Sequence, residues 1–264
     1  MNAETTPLVT VVVPAFNAER LIGVTIESVV AQSFTDWEML VVDDCSSDRT
    51  SEVVDKWSRK DERIRLISLP RNFGGPAGPR NEGVRQARGR YVAFLDSDDI
   101  WHPEKLHLQI QVLQNNNVDF VCSKMSDFSD ESEISFCKAD SFSLKSINFS
   151  QESYRNRIPS SSVIASTELL RRYPFNQDLR YRAVEDYHCW LRLLEGGACC
   201  LKLQLPLLHY RKIEGQISGS KISMVRKVFM VHREYPGRKI VSSFLMTIGH
   251  VVGAVYVRLI QKKM

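Results

Sequence analysis

Three aspartates stand close together in the segment RYVAFLDSDDIWHP, residues 90–103. Asp96, Asp98 and Asp99 follow an apolar run that has the pattern of a strand buried on both faces. Carboxylates this close repel one another, and a hard cation such as Mg²⁺ or Mn²⁺, held by one or two carboxylates and by substrate phosphates, relieves the repulsion. The same aspartates could instead cap the helix that Pro103 begins. The pattern predicts either a metal site or a helix cap.

Further charged residues follow other predicted strands or begin helices. Asp43 ends an apolar run and could accept a hydrogen bond from the imide N–H of a uracil. Arg80 follows a glycine-rich loop that could approach phosphate, although its spacing matches neither a dinucleotide fingerprint nor a P-loop. Glu185 and Asp186 open a predicted helix, where an acid can complement the helix dipole or act as a general base.

The elements that must position these residues alternate between strand and helix. Parallel sheets with helices on both faces arise from such alternation, and ligands bind at the carboxyl ends of their strands. The acidic and glycine-rich segments all fall at those ends, so we expect them to converge. The predicted strands are 8–13, 37–42, 64–69, 91–95 and 118–123, and the predicted helices between them are 19–32, 49–60, 80–87 and 103–115.

The second half of the chain is less regular. Residues 125–153 are polar, serine-rich and aperiodic, and we expect a variable loop region. Residues 161–165, 199–203 and 206–210 are predicted as short strands, and 167–172, 185–194 and 221–232 as helices.

Composition is that of a soluble globular protein with one large or two small domains. The six cysteines form no C-x-x-C pair and no signal peptide precedes them, which favours a reduced, cytosolic protein without structural zinc. Residues 202–264 carry twelve Lys and Arg against two acidic residues, a net +10, whereas residues 1–201 carry −6. A basic tail on an acidic body suggests an anionic partner, either a membrane surface or nucleic acid.

The segment 240–257 has no charged residue but is too short and polar to indicate a membrane span. Ser243, Thr247 and His250 begin a polar stripe on an otherwise apolar helix, and basic residues flank it. This helix could lie in the membrane interface, or pack on its own domain or on a dimer partner.

Several spaced motifs together resemble the inverting family 2 glycosyltransferases, which have the GT-A fold. The resemblance covers roughly residues 7–215. It rests on six motifs in family order: VVVPAFNAE, WEMLVVDDCSSD, NFGGPAGPRNEG, GRYVAFLDSDDIWHPEKL, VEDYHCWLRL and YRKIEGQIS. It implies an α/β fold with a mainly parallel twisted sheet flanked by helices, a nucleotide-diphospho-sugar donor, and Mg²⁺ or Mn²⁺.

The resemblance also assigns roles. Asp186 matches the catalytic base, Asp98 the principal metal ligand, and Asp96 a residue near the ribose or the metal. The remaining matches are donor-binding: Pro14, Ala15, Phe16 and Glu19 around the nucleotide, Asp43 at the base, Arg80 and Asn81 in the donor-side motif, and Arg211 near the phosphates. The Q-x-x-R-W signature of processive members is absent, which favours addition of one sugar.

The expected organisation is a GT-A domain at 1–215, with a nucleotide-sugar half at 7–123 and an acceptor half at 124–215, followed by a basic helical extension at 216–264. The resemblance implies sugar transfer to a glycan, often lipid-linked, at the cytoplasmic membrane face in surface-polysaccharide synthesis. Nucleic acid is then no partner, and a homodimer stays open. The alternatives are a non-catalytic nucleotide-sugar-binding protein, a nucleotidyltransferase, or a phosphate-accepting signalling domain.

Overall fold

The computed structural model describes residues 6–139, 141–213, 221–234 and 240–261. Its strands are β1 (Val9–Ala15), β2 (Trp37–Asp43), β3 (Ile64–Ser68), β4 (Tyr91–Phe94), β5 (Ile100–Trp101), β6 (Phe120–Phe128), β7 (Leu144–Ile147), β8 (Ile164–Ser166) and β9 (Cys200–Arg211). Its α-helices are α1 (Ile22–Val30), α2 (Thr50–Ser58), α3 (Ala77–Gln86), α4 (Lys105–Asn116), α5 (Phe149–Tyr154), α6 (Thr167–Arg172), α7 (Glu185–Glu195), α8 (Lys221–Arg233) and α9 (Ile240–Gln261).

Within the described residues these strands form one sheet in the order β3-β2-β1-β4-β8-β6-β9-β5, with β7 also paired to β9. The half built from β1 to β4 is parallel, as the strand and helix alternation predicts. In the other half β8 runs antiparallel to both β4 and β6. The predicted α/β fold with a sheet flanked by helices is confirmed.

Strands β1, β2 and β4 are buried along their whole length and are mostly apolar, because helices cover both faces of the sheet. Val11 and Val13 pack into the cluster on one face, whereas Val12 packs into the cluster on the other. Helix α3 lies very close to β1 at Gly83, where an added Cβ would stand 2.4 Å from Val12 Cγ1. A larger residue there would push α3 and the residues at its start away from the sheet.

Strand register brings the predicted site residues to one edge. Ala15, the last residue of β1, pairs with Asp43, the last residue of β2. Val12 pairs with Phe94, so β4 also ends at this edge, two residues before Asp96. The expected convergence of these strand ends is therefore confirmed.

The structure corrects two predictions in the second half. The segment 125–153 is no continuous loop, because β6 extends to Phe128 and β7 and α5 follow. The two short strands predicted at 199–203 and 206–210 are one strand, β9, with a register irregularity opposite Ser123 and Lys124. Pro206 lies at that irregularity, where a missing N–H donor is tolerated, and this explains why the sequence pattern suggested a break.

Helices α8 and α9 pack on the rest of the chain. Val228 and Val231 of α8 are buried against Tyr187 and Leu191 of α7. On α9 two members of the predicted polar stripe, Ser243 and Thr247, are buried. The side chain of His250, the third, lies outside the part of the chain that the structure describes. In the described part of the chain, no helix has the length and apolar character needed to cross a membrane. The predicted boundary near residue 215 falls among residues 214–220, outside the described ranges, and stays a prediction.

Candidate active site

A cleft of about 560 Å³ opens at the edge where β1, β2 and β4 end, and the start of α7 closes its far side. This volume lies in the range of small-molecule sites. Seven of the predicted site residues line the cleft: Pro14, Ala15, Phe16, Arg80, Asp96, Asp98 and Asp186. Four predicted residues do not line it: Glu19, Asp43, Asn81 and Arg211.

The turn after β4 separates the three aspartates. Asp96 and Asp98 are half-buried and line the cleft, whereas Asp99 is fully buried. Asp99 Oδ1 accepts a hydrogen bond from the backbone N–H of Arg211 at 3.1 Å, so this carboxyl joins the turn to β9. Of these three aspartates, only Asp96 and Asp98 can therefore present carboxylates to the cleft.

The surroundings of Asp98 disfavour its ionised form. Burial, and next the charge of Asp96, raise the pKa of Asp98 to about 6. Within the described residues no lysine or arginine forms an ion pair with this carboxylate. No group of three or more His, Cys, Asp or Glu side chains in the described residues could hold a metal ion by itself. A metal here would take one or two protein carboxylates and its other ligands from the substrate.

Arg80 connects the aspartate turn to α7. Its guanidinium donates to Asp96 Oδ1 at 2.7 Å and to Glu185 Oε1 at 3.0 Å, and the residue is 2% exposed. Burial outweighs the attraction of Arg80 and raises the pKa of Glu185 to about 7. Arg80 thus links two carboxyl groups. Because these hydrogen bonds engage its guanidinium, the guanidinium is less available to a nucleotide-sugar donor than the sequence motif predicts.

Asp186 lies in the first turn of α7 with its carboxylate toward the cleft. Oδ1 accepts the backbone N–H of Tyr187 at 2.7 Å, and Oδ2 accepts the hydroxyl of Ser160 at 3.2 Å. Burial raises the pKa of Asp186, and Arg80 partly opposes this effect. A carboxylate that is oriented by two donors and made more basic by burial is suited to accept a proton.

The nucleotide side of the cleft differs from the prediction at Asp43. Its carboxylate accepts hydrogen bonds from Ser46 and, at 2.7 Å, from the Ser51 hydroxyl, so it holds the start of α2. Asp44, one residue beyond the strand, lines the cleft instead. Its Oδ1 accepts the N–H of Phe73 at 2.8 Å, and burial raises its pKa.

Strand alternation explains this correction. Asp43 still belongs to β2 and pairs with Ala15, so its side chain is directed to one face of the sheet. The next residue has left the strand and can turn toward the edge. The sequence contains the signal, two adjacent aspartates at a strand end, but it does not say where the strand stops.

The other three predicted residues that do not line the cleft support the loops around it. Glu19 accepts hydrogen bonds from the backbone and side chain of Arg49. Asn81 makes two hydrogen bonds of 2.8 Å with the backbone of Phe175: its Nδ2 donates to the carbonyl, and its Oδ1 accepts from the N–H. Both ends of its carboxamide are therefore engaged within the protein. Arg211 donates to the carbonyl of Asp98 at 2.9 Å and to Glu131 at 2.9 Å, so it holds the aspartate turn from behind.

The sequence model described as Glycosyl transferase family 2 matches residues 10–179, which include the β1, β2 and β4 ends and the aspartate turn. The chain belongs to this family. A similar relative is TuaG of Bacillus subtilis (strain 168), a glycosyltransferase named for teichuronic acid biosynthesis; the two are 33% identical over 234 residues, 86% of this chain and 88% of TuaG.

A second relative is WfgD of Escherichia coli, a UDP-Glc:alpha-D-GlcNAc-diphosphoundecaprenol beta-1,3-glucosyltransferase. It is 32% identical to this glycosyltransferase over 221 residues, which cover 83% of each chain. The family and its relatives make the protein an enzyme of sugar transfer, and the predicted resemblance is confirmed.

Solved structures share the fold. S. aureus TarS 1–349 in complex with UDP-GlcNAc superposes with a TM-score of 0.70 at 23% identity, over 90% of this chain and 70% of that one. The mannosyltransferase PcManGT from Pyrobaculum calidifontis, in complex with GDP-Man and Mn²⁺, gives 0.66 at 19% identity, over 87% of this chain and 64% of that one. The GT-A fold is confirmed by these likenesses.

Proposed function

We propose that this glycosyltransferase moves one sugar from a nucleotide-diphospho-sugar, a UDP-sugar, to a hydroxyl of a lipid-linked glycan, with inversion at the anomeric carbon. The observation that carries the proposal is that one cleft is lined both by Asp98, whose carboxylate could bind a cation, and by Asp186, whose carboxylate is oriented to act as a base. The buried guanidinium of Arg80 ties the two sides together. The donor and the lipid-linked acceptor of its relative WfgD support the donor and the acceptor class.

The donor's nucleotide would bind over the ends of β1 and β2. Phe16 lines this side of the cleft and is 52% exposed, so its ring offers a stacking surface to a base. The Asp44 carboxylate, also in the lining, can accept from a base N–H. This assignment places Asp44 where the sequence motif suggested Asp43.

A divalent cation fits the aspartate turn. Asp98, with Asp96 beside it, would hold Mg²⁺ or Mn²⁺, because both are hard oxygen donors. Burial, and next the repulsion by Asp96, raise the pKa of Asp98, and a bound cation would relieve that repulsion. When bound, such an ion stabilises the negative charge of the departing diphosphate. The Mn²⁺ named with PcManGT supports this part of the proposal.

Asp186 would act as the general base. Its carboxylate takes the proton of the acceptor hydroxyl while that oxygen forms a bond to the anomeric carbon and the bond to the diphosphate oxygen breaks. The electron pair of the broken bond leaves with the nucleoside diphosphate. Attack opposite the leaving group inverts the carbon. Asp186 lies beyond the stretch that the family model matches, so its role rests on its position in the cleft.

Donor hydrolysis and binding test this proposal together. The protein is incubated with UDP-glucose, UDP-N-acetylglucosamine or GDP-mannose, with and without Mn²⁺. The release of the nucleoside diphosphate is measured. Asp186→Asn should retain donor binding by calorimetry but reduce turnover about 10²- to 10⁴-fold. Asp98→Ala should abolish Mn²⁺-dependent binding of UDP. Asp55→Asn, on the exposed side of α2, is the matched control and should behave as the wild type.

Opposite results reject specific parts. Turnover of Asp186→Asn at the wild-type rate would remove Asp186 as the base. Intact Mn²⁺-dependent UDP affinity in Asp98→Ala would remove the metal role. Binding of a nucleotide sugar without any turnover by the wild type would favour a non-catalytic binding protein.

We further propose that the enzyme binds a membrane surface through the exposed side of α9, where a lipid-linked acceptor would be found. Ile240, Val241, Phe244, Leu245 and Val252 of this helix are exposed, and Phe244 is 58% accessible. Lys and Arg residues flank the helix in the sequence, as in helices that lie on anionic lipid. We place the enzyme peripherally on the cytoplasmic membrane face, with residues 1–215 as the catalytic domain and 216–264 as its extension.

Vesicle sedimentation tests the membrane part. The wild type should sediment with vesicles that contain phosphatidylglycerol, and the double variant Phe244→Ser and Leu245→Ser should stay in the supernatant. Leu144→Ser, which changes an exposed leucine on β7, is the control. Unchanged sedimentation of the double variant would reject the surface. A wild-type dimer without lipid that the double variant converts to a monomer would assign the same face to a second copy.

A further inference from the structure

Helix α8 lies directly behind the segment that carries the base. Val231 is fully buried, and together with Val228 it packs against Tyr181, Val184 and Tyr187. These three residues surround Arg182, Ala183, Glu185 and Asp186, which line the cleft. The cleft wall around Asp186 is therefore backed by a helix that follows the predicted catalytic domain.

Polar contacts join the same two parts. The hydroxyl of Tyr187 lies 3.1 Å from the carbonyl oxygen of Ser153 and 3.4 Å from Nε2 of His232, which is fully buried on α8. The ammonium of Lys227 donates to the carbonyl of Arg182. The hydroxyl of Ser243 on α9 donates to the carbonyl of His232 at 3.2 Å. Tyr187 thus connects the base's helix to α8, and α9 holds α8 in turn.

The segment before α7 needs such support because its backbone is strained. Ala183 has a φ of +74°, in the left-handed region that an L-residue with a Cβ rarely adopts. A conformation of this kind persists only where the surroundings enforce it. The backbone N–H of Val184 donates to the Tyr181 carbonyl at 2.8 Å, which closes the turn locally. The packing of α8 supplies the restraint from outside the turn.

We propose that α8 positions the catalytic base: Val231 and His232, acting through Tyr187, hold segment 181–186 so that Asp186 faces the cleft. The proposal rests on the function proposed above, in which Asp186 accepts the acceptor's proton. None of the described α8 side chains lines the cleft, so their contribution is to geometry. The basic C-terminal extension then contributes to catalysis independently of any binding to a membrane.

A pair of valine variants on one helix tests the proposal. Val231→Ala removes two methyl groups from the buried side of α8, and Val225→Ala removes the same groups from its exposed side, where Val225 is 37% accessible. Each variant hydrolyses UDP-glucose or UDP-N-acetylglucosamine, whichever the wild type turns over, at a temperature at which all melting curves show folded protein. Val231→Ala should lower kcat about 10- to 100-fold, with the donor KM within about 2-fold of the wild type, because misplacing a catalytic group affects the chemical step. Val225→Ala should match the wild type.

Tyr187→Phe is a second variant that keeps the ring and removes the hydroxyl next to His232. It should lower kcat in the same direction as Val231→Ala. If both variants are folded and keep the wild-type kcat, the proposal is overturned. If they raise the donor KM and leave kcat unchanged, the α8 contacts serve donor binding and the positioning role is equally overturned.

Hydrogen exchange gives a readout that does not depend on activity. Peptides that contain residues 181–187 should exchange faster in Val231→Ala than in Val225→Ala, while peptides from β1, β2 and β4 should be unchanged. Equal exchange in the two variants would overturn the positioning role. A wild type that turns over no nucleotide sugar but shows the expected exchange would reject the proposed function and leave the link between α8 and the segment in place.

Discussion

Arg80→Met removes a buried cation from between two carboxyls and keeps a side chain of similar length. The Arg80 side chain is 3% exposed and that of its partner Glu185 is 5% exposed, so solvent cannot replace the lost charge. Breaking a buried ion pair from one side costs about 3–5 kcal/mol. In a protein of this size the loss corresponds to a melting temperature lower by about 6–20 °C.

The loss should depend on pH in a defined direction. The pKa of Glu185 is raised from 4.5 to about 7, so its ionisation costs stability as pH rises through that interval. Without Arg80 the pKa rises further and the cost continues to grow above pH 7. We therefore expect the difference from the wild type to be larger at pH 8 than at pH 5.5, where Glu185 is protonated in both proteins.

Urea unfolding at the two pH values measures this difference. Adding Glu185→Gln to Arg80→Met removes the second buried charge and should recover at least half of the loss at pH 8. Arg85→Met is the control on the same helix, because Arg85 and Glu82 form an exposed pair; it should change stability by less than about 0.5 kcal/mol. A loss below about 1 kcal/mol at pH 8, or no recovery in the double variant, would refute the reasoning.

Three further predictions concern single side chains. Because the pKa of Asp98 is about 6, Mn²⁺-dependent UDP binding should weaken about tenfold between pH 7 and pH 5, and calorimetry showing equal affinity would contradict this. Phe16→Ala should weaken UDP binding by about 1–2 kcal/mol through lost stacking, with Phe16→Tyr close to the wild type in the same titration. Burial raises the pKa of Glu152 to about 8, so its ionisation destabilises the fold as pH rises. In urea unfolding, the free energy of unfolding of Glu152→Gln relative to the wild type should increase by about 2–4 kcal/mol between pH 5 and pH 8. The same difference in free energy at both pH values would disprove this.

The fold of the first half could be predicted because three of its four long strands, β1, β2 and β4, are buried on both faces. Continuous apolar runs such as 91–95, alternating with amphipathic helices, leave little choice except a parallel sheet with covered faces. The second half was less predictable because its signals are local and weak. The strand β7 has three exposed residues of four, and α5 is only six residues long, so neither creates a period that can be distinguished from a loop.

Within the site, the sequence determined which segments meet and what chemistry they carry. Strand ends at Ala15, Asp43 and Phe94 had to lie at one edge, and the aspartates after β4 had to lie at the same edge. This follows from strand order alone, because parallel strands end on the same side. Family membership, and with it sugar transfer, likewise follows from the sequence.

Only the tertiary structure decided which member of each acidic pair faces the cleft. Asp44 lines it and Asp43 does not; Asp98 lines it and Asp99 is buried against the backbone of Arg211. A change of one residue at a strand end reverses the direction of a side chain, and no sequence pattern fixes that end to a single residue. The pairing of Arg80 with Glu185, 105 positions later, also depends on the packing of α3 and α7 against one edge of the sheet. Long-range contacts of this kind decide the geometry of the site because the residues concerned share no local signal.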